Sequence, residues 1–361
     1  MNFTSDNASG ASAAVLEAVA AASAGPASAY GDDPHTRRAE AMLSEVFERE
    51  VASFFVLTGT AANALALACL APPWGAIFCH EHAHVMDDEC GAPEMFTDGA
   101  KLVGVPGARG KLDPAGLARA LGGFPRGGTR QVQPAALSLS QANESGCVYA
   151  LDEIAALSAT AHEAGLRVHM DGARFVNALV TLGCTPAQMT WKAGVDVLAF
   201  GATKNGTLAC EAVVFFDPAL ARDFPFRRKR AGQTLSKSRF LGAQMTAYLH
   251  DDHWLTLGAR ANMSAQRLAA GLRATGVRLP WPVEANEVFA MLPRGAAQAA
   301  WAAGARWYEW GERGLSAHET PRAHEVFVRL VTSFATAEDE IDALVGVLKS
   351  AAMESPVLRV G

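Results

Sequence analysis

Apolar and polar residues repeat along the first two-thirds of the chain in an alternating helix and strand pattern. Residues 36–50 carry apolar side chains at helical spacing, with charged residues on the opposite face. Short apolar runs predict buried strands at 52–57, 76–79, 135–139, 166–170, 195–200 and 212–216, and helical patterns at 61–70 and 152–164 lie between them. This βα alternation predicts a mostly parallel sheet covered by helices on both faces.

The pattern changes after about residue 247. A long helical stretch at 254–275 is followed by strand-like runs at 288–292 and 326–331 and by an amphipathic helix at 337–352. We therefore predict an α/β fold with a large domain at 1–247, whose N-terminal segment contributes to the site, and a smaller α+β domain at 248–361.

Composition and charge narrow the class of protein. Of the 361 residues, 50% are hydrophobic and 19% are charged, which is typical of a globular chain. A net charge of −6 disfavours a nucleic-acid partner, because phosphate neutralisation needs a basic surface. The basic run at 227–230 is the local exception, and we interpret it as a solvated helix face or a phosphate contact.

No targeting or membrane segment is expected. The alanine-rich N-terminus lacks a basic region, and two prolines at 72 and 73 interrupt the uncharged run at 60–79. The six cysteines show no CxxC spacing, so neither a zinc site nor a disulfide framework is indicated. We expect a soluble protein of the reducing cytoplasm.

Two candidate chemical groups follow predicted strands. Asp171 comes directly after the run at 166–170, and Lys204 follows the run at 195–200. Because ligands of open α/β sheets bind at the carboxyl ends of the strands, we expect both side chains in one cleft. A carboxylate that keeps a pyridine nitrogen protonated and a lysine that forms a Schiff base are what pyridoxal 5'-phosphate requires. Taken singly, each residue also fits a helix cap or a surface position.

Gly59 and Thr60 lie at a predicted strand-to-helix turn. Free N–H groups at a helix N-terminus bind phosphate, and glycine allows close approach. Alone the pair indicates only an ordinary helix start, whereas together with Asp171 and Lys204 it favours a bound phosphate group.

The histidine run at 80–84 suggests a competing chemistry. On a strand, His80, His82 and His84 would share one face and could bind a metal, as in a metallohydrolase. The polar character of the run favours a loop instead, so we expect no metal site. A single histidine stacked on an aromatic cofactor is the other use of such a loop.

Seven short motifs follow one another along the chain in an order and spacing that are specific when taken together. It resembles the low-specificity L-threonine aldolases, which are fold type I pyridoxal phosphate enzymes of the aspartate-aminotransferase-like class, with phenylserine aldolase as a close relative. The motifs are Ser5-Asp6-Asn7, Tyr30-Gly31-Asp32-Asp33, Thr58-Gly59-Thr60-Ala61-Ala62-Asn63, the loop ending in His84, His169-Met170-Asp171-Gly172-Ala173-Arg174, Thr203-Lys204 and Val328-Arg329-Leu330-Val331-Thr332.

The resemblance implies roles for individual positions. Lys204 would form the Schiff base, Asp171 would pair with the pyridinium nitrogen, and His84 would stack on the ring and assist proton transfer. Further cofactor contacts would come from Gly59, Thr60, Arg174 and Arg239. The substrate carboxylate would be held by Ser5, Arg174 and Arg329, since guanidinium groups bind carboxylates in a bidentate fork.

The family's assembly and reaction are implied in the same way. Its members are dimers, usually paired into tetramers, so Tyr30, Lys237 and Arg239 would face the site of a neighbouring subunit, where Tyr30 would contact substrate. The implied reaction is cleavage of L-threonine, L-allo-threonine or a related β-hydroxy-α-amino acid to glycine and an aldehyde. A β-eliminating lyase or an aminotransferase is the alternative, and a histidine-rich metallohydrolase is a distant one.

The loop after the strand at 135–139 departs from the family pattern. Many members carry a second histidine there, whereas this chain has Ala142. His84 alone, or a water that it orients, would then accept the proton, and the preferred β-substituent would differ. An aromatic substituent, such as that of phenylserine, is conceivable. The aromatic cluster at 307–310 could line its pocket, although core packing is the interpretation we favour.

Overall fold

The computed structural model describes residues 1–354 and contains one large and one small β-sheet. The large sheet has seven strands in the order β1-β7-β6-β5-β4-β2-β3. Neighbours from β6 through β5, β4 and β2 to β3 are parallel, and β7 runs antiparallel to β6 and to β1. The predicted mostly parallel sheet is therefore confirmed. Its strands are β1 (Ala52–Val56), β2 (Gly75–His80), β3 (Lys101–Val105), β4 (Gln133–Ser140), β5 (Arg167–Gly172), β6 (Val197–Phe200) and β7 (Glu211–Phe215).

Helices cover the sheet because their apolar faces need partners. The largest buried cluster combines residues of the strands with residues of several helices, and a second cluster packs one further helix, residues 59–70, against the other face of the sheet. The helices are α1 (Ala13–Ala21), α2 (Pro34–Val46), α3 (Gly59–Leu70), α4 (His84–Asp87), α5 (Ala92–Phe96), α6 (Pro114–Gly122), α7 (Leu151–Glu163), α8 (Phe175–Leu182), α9 (Pro186–Met189), α10 (Phe224–Arg230), α11 (Arg239–Leu249), α12 (His253–Ala274), α13 (Arg294–Ala302) and α14 (Glu338–Glu354).

The small sheet lies in the C-terminal third of the chain. It is antiparallel, with the order β8 (Glu287–Pro293), β10 (Glu325–Val331) and β9 (Tyr308–Glu309). Its core also contains Phe3, which is fully buried, and Asn2 forms a bridge with Arg306. The N-terminal segment thus crosses to this core, and a domain boundary near residue 247 stays a prediction.

The register of the parallel strands brings their carboxyl ends together. Ser140 of β4 lies opposite Asp171 of β5, and Gly172 lies opposite Phe200 of β6. The turns that follow pack so closely that a Cβ at Gly201 would lie 2.6 Å from the carbonyl oxygen of Gly172. Glycine at 201 therefore lets the segments leading to Asp171 and Lys204 approach each other.

Within residues 1–354, every helix is too short or too polar to span a lipid bilayer.

Candidate active site

Asp171 lies at the carboxyl end of β5 and is almost completely buried, with 5% of its surface exposed. Its Oδ2 accepts a hydrogen bond from Asn63 Nδ2 at 2.8 Å, and its Oδ1 accepts one from the backbone N of Ala173 at 3.0 Å. These two donors fix the orientation of the carboxylate. Because α3 supplies Asn63, the helix and the strand hold the carboxylate between them.

Lys204 lies in a short 3-10 turn, Thr203–Asn205, after β6. The turn is fixed by the side chain of Asn205, which donates to Tyr248 Oη at 2.8 Å and to the Trp254 carbonyl at 2.9 Å. Within the described residues, no carboxylate lies within 4.0 Å of Lys204 Nζ. The turn is therefore rigid, while its amine has no ion-pair partner to displace.

Two adjoining cavities surround these residues. The first has a volume of about 460 Å³ and is lined by Asp171, Lys204 and the start of α3. The second has a volume of about 690 Å³. It is lined by residues of strands and loops around both sheets, including Trp281, Trp310 and Arg329. Five residues line both cavities and so mark their junction, namely Asn7, His84, Glu144, Arg174 and Lys204. The structure thus brings Asp171 and Lys204 together in one cleft.

The N-terminus of α3 opens into the first cavity through Gly59 and Thr60. Thr58 caps the helix, since its Oγ1 accepts from the backbone N of Ala61 at 3.1 Å. The first N–H groups of a helix have no partner within the helix, and they attract negative charge. A Cβ at position 59 would meet no atom within 4 Å, so the glycine leaves open space beside these donors.

His84 begins α4 and has a carboxylate partner. Its Nδ1 lies 2.9 Å from Oε1 of Glu89, which is buried and also accepts from Asn63 at 2.8 Å. This hydrogen bond raises the pKa of His84 against the opposing effect of burial, and Asp171 adds to the rise. Burial in turn raises the pKa of Glu89. Asn63 therefore links the histidine and its carboxylate to Asp171.

The three histidines do not form the shared strand face of the metal hypothesis. β2 ends at His80, and His82 and His84 follow it in a turn and a helix. His80 Nε2 lies 2.9 Å from the Gly107 carbonyl, and its Nδ1 accepts from the backbone N of His82 at 3.1 Å. The rings of His80 and His82 are engaged with the loop rather than converging with His84 on one point.

Arg174 and Arg329 lie beside each other, but carboxylates of the chain already contact them. Arg174 forms a bidentate pair with Asp6, with Nε–Oδ2 at 2.8 Å and a second bond of 3.2 Å to Oδ1. Oε1 of the fully buried Glu287 lies 3.5 Å from a terminal nitrogen of each arginine. Burial alone would lower the pKa of Arg174, yet Asp6 and Glu287 raise it. The predicted carboxylate clamp is therefore assembled around two acidic residues.

Comparison with known proteins places this geometry in a family. The beta-eliminating lyase family matches residues 2–294. A low specificity L-threonine aldolase of Pseudomonas aeruginosa is 48% identical over 315 residues, which covers 86% of this chain and 90% of the relative. The chain belongs to the low-specificity L-threonine aldolase family. A second relative with the same name, from a Pseudomonas species, is 44% identical and covers 89% of this chain and 94% of its own length.

Solved structures support the same placement. The threonine aldolase of Leishmania major has a TM-score of 0.90 at 30% identity and covers 97% of this chain and 99% of its own. Serine palmitoyltransferase of Sphingomonas wittichii has a TM-score of 0.69 at 16% identity, covering 98% of this chain and 87% of its own, and shares the fold alone. A related structure at 18% identity and a TM-score of 0.68 was solved with PLP and covers 98% of this chain and 87% of its own. The fold is that of the type I pyridoxal phosphate enzymes.

Two residues that the family resemblance assigns to a site lie elsewhere on this chain. Tyr30 is 57% exposed, and the terminal nitrogen of Arg239 donates to the Gly25 carbonyl at 2.8 Å. Within the described residues, neither lines either cavity of its own subunit. Their predicted role in the site of a neighbouring threonine aldolase subunit stays a prediction.

The tryptophans of the aromatic cluster at 307–310 lie in two different environments. Trp310 lines the second cavity together with Trp281, and the Arg329 guanidinium lies 4.3 Å from the centre of a Trp310 ring. Trp307 is 5% exposed and packs in the core of the small sheet. Core packing is thus confirmed for Trp307, whereas Trp310 belongs to the wall of this aldolase's second cavity.

Sequence reasoning missed several polar residues of the cleft. Asn63, Glu89, Glu144 and Glu287 are all buried or nearly so at the sites described above. Asn63 ends one of the motifs on which the family resemblance rests, and this could have drawn attention to it. Glu89 lies five residues after His84 and beyond the end of α4, so the i+3 and i+4 spacing of a helix does not connect the two. Glu287 directly precedes the strand-like run predicted at 288–292 and carries no comparable signal.

Proposed function

We propose that the protein is a pyridoxal phosphate-dependent aldolase. It cleaves L-threonine, L-allo-threonine and related β-hydroxy-α-amino acids to glycine and an aldehyde. The observation that carries the proposal is that Asp171 and Lys204 line one cavity, into which the N-terminus of α3 opens. Among the described residues, Lys204 has no ion-pair partner. The names and the identities of the Pseudomonas relatives support the reaction.

The donors of the first cavity fit the cofactor's functional groups. Asp171 offers a fixed, buried carboxylate to a pyridinium nitrogen, and Lys204 offers an amine to an aldehyde. Gly59 and Thr60 offer backbone N–H groups to a phosphate. His84, at the junction, offers a ring with a raised pKa. The pyridinium nitrogen, the aldehyde, the phosphate and the ring of pyridoxal phosphate thus each have a matching residue.

The reaction needs groups that bind and orient the substrate, and it needs an electron sink for the breaking bond. Arg329, Ser5 and Arg174 hold the substrate carboxylate at the wall of the second cavity. Asp171 stabilises the positive charge of the pyridinium, and His84 lies beside the substrate's hydroxyl group. When bound, the cofactor supplies delocalisation for the electron pair of the breaking Cα–Cβ bond. The low-dielectric cleft strengthens each of these charge interactions.

The second cavity sets the substituent on Cβ. Trp281, Trp310, His80 and His82 give it an aromatic wall, and its volume of about 690 Å³ exceeds what a methyl group needs. Aromatic side chains pack favourably against aromatic groups. We therefore infer that phenylserine-like substrates are accepted at least as well as threonine.

The assembly and the cellular location are part of the proposal. A homo-oligomer, a dimer or a tetramer, would bring Tyr30 and Arg239 of one subunit to the site of the next. The six cysteines are free, which supports a reducing compartment and hence the cytoplasm.

Product analysis tests this function. The protein reconstituted with pyridoxal phosphate is incubated separately with L-threonine, L-allo-threonine and phenylserine, and glycine, aldehyde, keto acid and ammonia are measured. We expect glycine and aldehyde in equal amounts. Keto acid with ammonia would instead indicate β-elimination, and keto acid without ammonia would indicate transamination. Either result would contradict the proposal.

A further inference from the structure

Glu144 lies at the junction of the two cavities of the candidate site. It lies in the loop after β4 and is one of the five residues that line both cavities, together with His84 and Lys204. Under the proposed function, on which this inference rests, the cofactor fills the first cavity and the β-substituent the second. The junction between them is then where the Cα–Cβ bond and the β-hydroxyl group lie.

The two oxygens of Glu144 have different environments. Oε1 accepts hydrogen bonds from the backbone N of His84 and from Ser140 Oγ, both at 2.8 Å. Oε2 is buried and has no hydrogen-bond partner among the described residues. An unsatisfied buried oxygen is costly, and such groups persist mainly where function uses them. One oxygen therefore anchors the carboxyl group, and the other is left for a ligand.

The surroundings of Glu144 raise the affinity of its carboxylate for a proton. Burial is the main cause that raises the pKa of Glu144, and the nearby Asp171 raises it further, while the two hydrogen bonds to Oε1 oppose the rise. The titratable and charged groups that face it are His84, Asp171, Arg174, Lys204, Cys79 and Tyr149. A carboxyl group with a raised pKa takes up a proton more readily than an ordinary one.

Other residues near the junction are less suited to take a proton. Ala142 has no proton-accepting atom, and the guanidinium of Arg174 stays protonated. His84 uses Nδ1 for Glu89, which leaves only one ring nitrogen for another partner. The anchored Glu144 faces no such competing demand at Oε2.

We infer that Glu144 accepts the proton of the substrate's β-hydroxyl group through Oε2. The O–H electron pair becomes the second bond of the aldehyde C=O, and the Cα–Cβ bond breaks. Its electron pair stays on the Cα side, where a proton from solvent forms the new C–H bond of glycine. Glu144 then returns its proton to solvent, so that substrate and products balance.

Glu144→Gln removes the proton acceptor but keeps an amide oxygen for His84 N and Ser140 Oγ. General-base removal costs about 100- to 10,000-fold, so we expect kcat/KM for threonine cleavage to fall by at least about 100-fold. Exchange of the glycine α-proton in D₂O needs the same site but no β-hydroxyl group, and NMR should show it within a few-fold of wild type. Glu144→Asp should retain more cleavage than the glutamine variant.

A spectroscopic readout is independent of turnover. Infrared difference spectra between acidic and neutral pH should show a protonated carboxyl band that is missing from Glu144→Gln. The pH profile of cleavage should also lose its acid limb in this variant.

Each outcome decides a separate point. Near-normal cleavage by Glu144→Gln would overturn the inference, and so would an equal loss of cleavage and exchange, because that would assign Glu144 to binding or positioning. If the wild type exchanges glycine protons yet releases no aldehyde from any of the three substrates, the proposed function fails and the inference falls with it.

Discussion

Replacing Asp6 by asparagine tests the charge arrangement behind the substrate clamp. Asp6 is 2% exposed and Arg174 is 8% exposed, and the two form a bidentate pair. Removing one partner of a buried ion pair costs roughly 3–5 kcal/mol, since the other charge is left uncompensated. Glu287, 3.5 Å from Arg174, compensates in part, and the asparagine oxygen keeps one acceptor. We therefore expect a loss near the lower end, about 3 kcal/mol.

The chain contains a matched control. Asp342 forms an equally bidentate pair with Arg267, at 2.7 and 3.2 Å, but both side chains are largely exposed. Exposed pairs contribute little because water and salt screen them. Urea unfolding of the protein without added cofactor should show a clear fall in midpoint for Asp6→Asn and almost none for Asp342→Asn. Equal midpoints in the two variants would refute the reasoning.

The same variant has a pH signature. Burial alone would raise the pKa of Asp6, but Arg174, Lys204 and Asn286 outweigh it and lower the pKa. A carboxylate with a lowered pKa stabilises the fold above its unfolded value of about 3.9, and this contribution disappears as the pH falls through the folded value. Asp6→Asn should therefore flatten the loss of stability on acidification, and an unchanged acid profile would contradict the assignment.

Three further changes probe the cleft. Glu89→Gln should lower the pKa of His84 in an NMR titration, because the hydrogen bond to Glu89 is the main cause of the raised pKa. In the wild type, the contribution of the His84–Glu89 pair to stability should be complete below pH ~6.5 and should be lost as the pH rises through the raised pKa of His84. An unchanged titration would remove Glu89 from this role. Arg329→Ala should lower kcat/KM about 10- to 100-fold, mainly through KM, since a charged hydrogen bond is lost, and unaltered kinetics would exclude it from the clamp. Asp171→Ala should strongly reduce kcat while the protein stays folded by circular dichroism, and near-normal turnover would rule out its pyridinium role.

Periodicity was sufficient for most of the large sheet. β1, β2, β4, β5, β6 and β7 lie within a few residues of their predicted runs, because strands covered by helices on both faces are continuous apolar segments. β3 was missed, since it is an edge strand whose exposed positions include Lys101 and Gly104. Short edge strands leave a weak apolar signal.

The meeting of Asp171 and Lys204 also followed from the sequence, because strand ends of a parallel sheet share an edge. The pairing of Asp6 with Arg174 did not, since 168 positions separate them and only the N-terminal segment's path across the fold joins them. Glu144 likewise lies in the loop after the strand predicted at 135–139, where the sequence drew attention only to Ala142. Long-range contacts of this kind depend on tertiary packing rather than on local spacing.

Borohydride reduction followed by peptide mass mapping tests the central claim most directly. Borohydride reduces the carbon–nitrogen double bond between a lysine and the cofactor aldehyde to a permanent link. The account predicts a single modified peptide that carries the pyridoxyl group on Lys204. A Lys204→Ala protein should carry no such label. A label on a different lysine of the wild type, or no label after full reconstitution, would contradict it.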